Sequence, residues 1–144
     1  GRMQSMLTEK LWAYIVHNNP DLMLSLQEDY SVTSYLENKV AAVMPMAMQF
    51  LSEEKPQYII EELCLQAMTE DLKPSRYQYI RSVIEEEFND DYLRMKENGT
   101  LTYEVVNLIE ACKSIFSDFD FNSENEANRH LRYAIIGQVH DYLA

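Results

Sequence analysis

The sequence is poor in the residues that break or cross-link a chain. Its 144 residues include three glycines, four prolines and two cysteines, while 47% are hydrophobic. This composition leaves little room for long disordered segments, and the length is typical of one domain that buries its own core. Cys64 and Cys112 lack the paired spacing of a disulfide framework or a zinc site. Free thiols of this kind favour a reducing cytoplasm.

Basic residues are also scarce. The chain has twelve Lys and Arg residues and 24 Asp and Glu residues, which gives a net charge of −12. Lys and Arg contacts to phosphates supply much of the affinity of nucleic-acid-binding proteins, so direct nucleic-acid binding is disfavoured. A strongly negative surface favours basic partners instead. The sequence has no recognisable signal peptide and no apolar run that would span a bilayer, so we expect a cytoplasmic protein without a membrane partner.

Apolar residues recur with helical spacing along the chain, and no segment alternates like a strand. This pattern predicts an all-α fold: a single-domain irregular bundle of six or seven helices over residues 7–144. Residues 1–6 are expected to be disordered or an added N-terminal remnant. Thr8 is the predicted N-cap of the first helix. One helix is predicted over residues 100–118. Ser123–Glu126 is the predicted capping box of the last helix.

The segment from Lys55 to Phe88 predicts a helical hairpin at the centre of this bundle. In its first helix one face is apolar, and the opposite face is polar with Glu61, Glu62 and Gln66. The apolar face consists of Ile59, Ile60, Leu63, Cys64, Ala67 and Met68. A break at residues 71–74 ends this helix, and Pro74 opens a second one. A connection this short predicts that the two helices are antiparallel neighbours.

The same segment carries a resemblance to a known family. Ser75-Arg76-Tyr77 follows the acidic-apolar helix IIEELCLQAM, and the next helix ends in Glu87-Phe88. Together with Asn19-Pro20-Asp21-Leu22, these elements resemble the domain-of-unknown-function family numbered 1896, which consists of small helical bacterial proteins. The resemblance covers about residues 7–90, and Arg76 stands where the family usually has Lys. It implies an all-helical fold and adds no mechanism.

No motif of the sequence predicts catalysis. Gly-rich phosphate loops, Gly-x-Ser-x-Gly elbows and Glu-x-x-His pairs are all absent. His17, His130 and His140 do not cluster, and Glu126 with His130 is more typical of a surface contact than of a ligand pair. We therefore predict no catalytic residue, no metal and no cofactor.

A cluster of basic and tyrosine residues is the first candidate surface. Lys73, Arg76, Tyr79 and Arg81 are predicted to form a surface for a ligand or partner. With Arg94 and Lys96, which follow, five of the twelve basic residues fall within 24 positions. Tyr77 and Tyr92 are interleaved with them. The alternative is that these cations only neutralise the neighbouring acidic residues Glu85–Glu87, Asp90 and Asp91.

A methionine-rich helix is the second candidate surface. The segment VAAVMPMAMQFL (residues 40–51) contains one strongly polar residue and is interrupted by a proline. Its Met44, Met46, Met48 and Phe50 favour packing in an irregular core, and an apolar homodimer interface is the alternative.

These features favour a non-catalytic interaction or regulatory module that binds an unidentified protein partner, with homodimerisation through the methionine-rich helix. The first alternative is an acidic protein that mimics nucleic acid and binds a basic DNA-binding partner. The second is a small-anion binder at Arg76 and Arg81, and an enzyme ranks last. Binding by a mimic should weaken steeply as salt rises, whereas binding through the methionines should not.

Overall fold

The structure, a computed structural model, describes all residues from 1 to 144 and is entirely helical. The nine α-helices are α1 (Arg2–Asn18), α2 (Pro20–Glu28), α3 (Val32–Ser52), α4 (Gln57–Thr69), α5 (Arg76–Glu87), α6 (Asn89–Asn98), α7 (Leu101–Ala111), α8 (Lys113–Asp118) and α9 (Arg129–Leu143). A short 3-10 turn, Glu70–Leu72, follows α4. The predicted all-α class is confirmed, with more helices than the six or seven expected. None of the helices is long and apolar enough to cross a membrane.

The chain divides into two compact units, residues 1–72 and residues 73–144, which we call the N-terminal and C-terminal units. Each unit has its own hydrophobic core. The division falls inside the segment predicted as the central hairpin, so α4 and α5 contribute to different cores. The two predicted helices are present, but they do not lie at the centre of one core.

In the N-terminal unit, α1, α3 and α4 pack on one another, and α2 packs against α1 and α3. The buried face of α4 is centred on Ile60 and Cys64, as the apolar spacing predicts. Glu61 is also buried, although the sequence places it on the polar face. Its Oε1 lies 3.5 Å from the Nζ of Lys10 on α1, and this ion pair accounts for a carboxylate in a largely apolar setting.

In the C-terminal unit, α5 packs against α6, α7 and α9, and α8 packs against α7 and α9. Three residues at the centre of this core, Ile80, Val105 and Ile135, are fully buried. α6 ends at Gly99, whose φ of 74° is left-handed, as expected for a helix-ending glycine. This turn places the start of α7 directly after the end of α6.

Three helix boundaries differ from the predictions. α1 begins at Arg2, so it takes in residues for which the sequence predicts disorder, and Thr8 lies inside it, with its hydroxyl donating to the Gln4 carbonyl. The predicted helix over residues 100–118 is divided at Cys112 into α7 and α8. The cap of α9 is Asn128, whose side chain accepts a hydrogen bond from the Leu131 amide at 3.0 Å. Ser123–Glu126 therefore precedes the helix and does not cap it.

Candidate functional site

The basic and tyrosine residues all lie in the C-terminal unit, but the structure separates them into distinct groups. α5 begins at Arg76 because the Ser75 hydroxyl accepts a hydrogen bond from the Gln78 amide at 3.0 Å. Along α5 the helical repeat then directs Arg76 and Arg81 to different neighbours. Lys73 is exposed ahead of the helix, next to a cis peptide bond with Pro74.

Arg81 and Lys96 meet at one aromatic ring. The Cζ of Arg81 on α5 lies 5.4 Å from the centroid of the Tyr92 ring, and the Nζ of Lys96 lies 5.9 Å from it. Tyr92 and Lys96 are four residues apart on α6, so their shared face is as predicted. Desolvation and a hydrogen bond with Glu85 raise the pKa of Tyr92 above its ordinary value of 10.0. A neutral aromatic face is a favourable neighbour for both cations.

A cavity of about 200 Å³ opens beside these cations. Its lining consists of Tyr77, Arg81, Lys96, Gly99, Leu101 and Thr102. The Tyr77 and Thr102 hydroxyl oxygens lie 3.4 Å apart within it, close enough for a weak hydrogen bond. We call this group of residues the Arg81–Lys96 site.

α7 begins in the same region. No side chain caps this helix, because the Thr100 hydroxyl donates instead to the Met95 carbonyl at 3.4 Å. The first amides of an α-helix have no acceptor within the helix, and the helix dipole makes this end electropositive. Leu101 and Thr102, the first two residues of α7, are both in the cavity lining.

Arg76 and Tyr79 lie apart from this site. The Cζ of Arg76 is 5.0 Å from the centroid of the Phe116 ring. Tyr79 makes edge-to-face contacts with Phe116 and Phe121 at centroid distances of 5.9 and 5.1 Å. Its side chain is buried, and burial raises the pKa of its hydroxyl. The structure therefore assigns Tyr79 to the core, and the prediction that it belongs to a surface with Arg81 is wrong.

The alternative that the cations only neutralise neighbouring carboxylates holds for one residue of the group. An Nη of Arg94 lies 2.6 Å from an Asp91 oxygen. Glu86 and Glu87 pair instead with Arg132 on α9, at 2.7 and 3.2 Å. Arg76, Arg81 and Lys96 make no ion pair within 4.0 Å.

The methionine-rich helix is mostly a core element. Met44, Met46 and Phe50 are partly buried against the core of the N-terminal unit. Met48 is 57% exposed, on the side of α3 that also exposes Pro45. An apolar interface through this helix stays a prediction. Of its four predicted residues, Met48 is the one whose side chain is largely exposed to solvent.

The structure brings no metal-binding set together. No group of three His, Cys, Asp or Glu side chains is arranged to hold an ion. His130 is exposed on α9, while Glu126 precedes that helix. Both cysteines are buried and free, and burial raises the pKa of the Cys112 thiol to about 11.

Thr102 lies in the cavity lining although no sequence motif predicts it there. Gly99 and Thr100 are recognisable as a helix end and a helix start, but the proximity of Gly99 and Thr102 to Arg81 depends on how α5, α6 and α7 pack. Neither the protein-family models, nor the curated proteins, nor the solved structures contain a match to this chain. The resemblance to the family numbered 1896 therefore stays a prediction.

Proposed function

We propose that this protein is a non-catalytic binding module whose ligand is a small anion carrying a phosphate group, held at the Arg81–Lys96 site. The observation that supports the proposal most strongly is the convergence of two cations, neither of them ion-paired, on a single small cavity. This proposal develops the small-anion alternative and replaces Arg76 with Lys96.

The charge balance supports an anionic ligand. The chain has twice as many acidic as basic residues, so carboxylates are abundant, yet none lies within 4.0 Å of the cationic nitrogens of Arg81 or Lys96. Two positive charges match a doubly ionised phosphate group. Arginine suits this role because its planar guanidinium donates two parallel hydrogen bonds to phosphate oxygens.

The neutral donors of the site also fit phosphate. Two hydroxyls, those of Tyr77 and Thr102, line the cavity, and their mutual contact at 3.4 Å is weak enough to be exchanged for stronger bonds to an anion. The uncapped start of α7 adds amide donors. A tetrahedral phosphate accepts from several directions at once, whereas a planar carboxylate would leave some of these donors unused.

The size of the cavity limits the ligand. A volume of about 200 Å³ is smaller than the cavities that enclose drug-sized molecules. This volume is large enough for a phosphate group. Because the cavity is open to solvent, the remainder of a larger phosphorylated molecule would extend outward. We propose binding without catalysis because the cavity lining contains no histidine or carboxylate that could act as a general base.

The proposal is tested by titrating the isotopically labelled full chain with inorganic phosphate and following its amide NMR signals. We expect saturable shifts at Gly99, Leu101 and Thr102, and weaker binding of acetate. The variants Arg81→Ala and Lys96→Ala should each weaken phosphate binding by about tenfold, since a charge-assisted hydrogen bond is lost. Arg94→Ala removes the same charge from an exposed, ion-paired side chain nearby and is the matched control.

The result that would overturn the proposal is a set of shifts spread over the basic surface and equally reduced in all three variants. Absence of any saturable shift at Gly99, Leu101 and Thr102 would overturn it as well. The interaction-module and nucleic-acid-mimic hypotheses stay predictions, and a pull-down washed at rising salt distinguishes those two.

A further inference from the structure

α9 has an exposed face that is bordered by a groove. Tyr133, Gly137 and His140 recur on the exposed side of this helix at spacings of four and three residues. Beside them lies an open cavity of about 700 Å³. Phe88, from the junction between α5 and α6, forms its other wall together with Glu87.

The lining of this groove is largely apolar. Phe88 and Ile136 are partly buried against the core of the C-terminal unit, and each leaves part of its surface facing outward. Tyr133 is 61% exposed. Ala134 and Gly137 lie one turn apart in the groove lining and have a methyl group and no side chain, respectively. Another helix can therefore approach the backbone of α9 closely.

Gly137 has no explanation within the fold. It lies in the middle of a 15-residue helix, where glycine is destabilising relative to alanine. A Cβ added at this position would meet no atom within 4 Å, and its backbone has no positive φ. Neither close packing inside the chain nor backbone conformation therefore requires glycine here. A small residue here leaves room for a partner helix to lie against α9.

The charges around the groove define the partner. Its formally charged lining residues are Glu87 and Asp141. Glu87 and the adjacent Glu86 share one cation, Arg132, so one of their two negative charges is unbalanced. Asp141 is 79% exposed at its side chain, and the Nδ1 of His140 lies 3.7 Å from its Oδ1. An apolar groove with an anionic rim fits a helix that has an apolar stripe flanked by Lys or Arg.

We propose that this groove docks a basic amphipathic helix of a partner protein, with the apolar stripe of that helix lying across Gly137. A second copy of this chain fits less well, because a symmetric contact through α9 would bring the Glu87 and Asp141 carboxylates of the two copies towards each other. The proposal is independent of phosphate binding at the Arg81–Lys96 site.

The test uses the isotopically labelled full chain and three synthetic peptides of about 18 residues, five helical turns long. The first has leucines on one helical face and lysines on the other, the second has glutamates in place of the lysines, and the third is a scrambled version of the first. We expect the first peptide alone to give saturable NMR shifts centred on Tyr133, Gly137 and Gln138. These shifts should persist at moderate salt, because apolar contacts supply part of the affinity.

Two variants separate docking from folding. Gly137→Leu fills the groove and should weaken binding of the first peptide by about tenfold. Gly137→Ala should raise the thermal midpoint of unfolding and weaken binding only slightly, which shows that the position tolerates a side chain in the free protein. The proposal is overturned if the first peptide shifts signals over the whole acidic surface, if it binds the Gly137→Leu variant unchanged, or if no peptide binds.

Discussion

The guanidinium of Arg81 lies over the ring of Tyr92, with 5.4 Å between the Cζ and the ring centroid. This contact joins α5 to α6 in the C-terminal unit. Lys96 reaches the same ring from one helical turn further along α6. The ring therefore holds two cations that repel each other, and an anion bound between them would relieve that repulsion.

The Tyr92 ring, and not its hydroxyl, should matter for phosphate binding. Tyr92→Leu removes the aromatic face from both cations, and each cation–π contact is worth about 0.5–1 kcal/mol at an exposed site. We expect the phosphate dissociation constant to rise by about fivefold in this variant. Tyr92→Phe keeps the ring and should stay within about twofold of the unsubstituted chain. Equal losses in both variants, measured by the same NMR titration, would show that the hydroxyl is the essential group.

The cap of α9 distinguishes the structure from the sequence-based prediction. Asn128→Ala removes the side chain that accepts from the Leu131 amide and should lower the free energy of unfolding by about 1 kcal/mol. Ser123→Ala should have almost no effect, because Ser123 is exposed ahead of the helix. Urea unfolding of the two variants measures both quantities. A larger loss from Ser123→Ala would mean that α9 begins earlier.

The two cores should respond independently to cavity-forming substitutions. Ile60 and Ile135 are fully buried in different cores. Each substitution to alanine should cost about 2–4 kcal/mol. Because the two side chains share no core, the cost in the double variant should equal the sum of the single costs to within about 0.5 kcal/mol. Chemical unfolding of the three variants tests this, and a strong departure from additivity would indicate one coupled core.

Stability should fall at alkaline pH through Cys112. Burial raises the pKa of this thiol from 9.0 to about 11. The unfolded chain releases the proton near pH 9 and the folded chain keeps it until about pH 11, so the folded chain binds more protons in this interval. The free energy of unfolding therefore decreases as pH rises from 9 to 11, by on the order of 2 kcal/mol from this thiol, and is unaffected by it below pH 9.

Cys112→Ala should be less stable near neutral pH but lose stability less steeply between pH 9 and 11. The raised pKa values of Tyr79 and Tyr92 contribute to the alkaline loss in both proteins, so the comparison isolates the thiol. Parallel slopes in the two proteins would contradict a buried, protonated Cys112.

Local sequence patterns predict the helical class and some contacts within one helix, but not every helix boundary. Helical periodicity predicted the all-α class, and the four-residue spacing of Tyr92 and Lys96 placed them on one face. Gly99 was recognisable as a helix end because a left-handed residue is needed there. Each of these features depends on residues close together in the chain.

Contacts between helices could not be predicted in this way. Periodicity shows that α4 and α5 each have an apolar face, but it does not show which core each face enters. Glu61 appeared solvent-facing because its partner, Lys10, is 51 positions away. Arg81 and Tyr79 looked equivalent in sequence, yet one points to a cavity and the other into an aromatic cluster.

The most direct test of the proposed phosphate site compares two charge-matched double variants of the full chain by calorimetric titration with inorganic phosphate. Arg81→Ala with Lys96→Ala removes both site cations, and Arg94→Ala with Lys113→Ala removes one Arg and one exposed Lys outside the cavity. We predict that the first pair lowers phosphate affinity by more than about tenfold and the second by less than about twofold. Equal affinities in the two double variants would contradict the assignment.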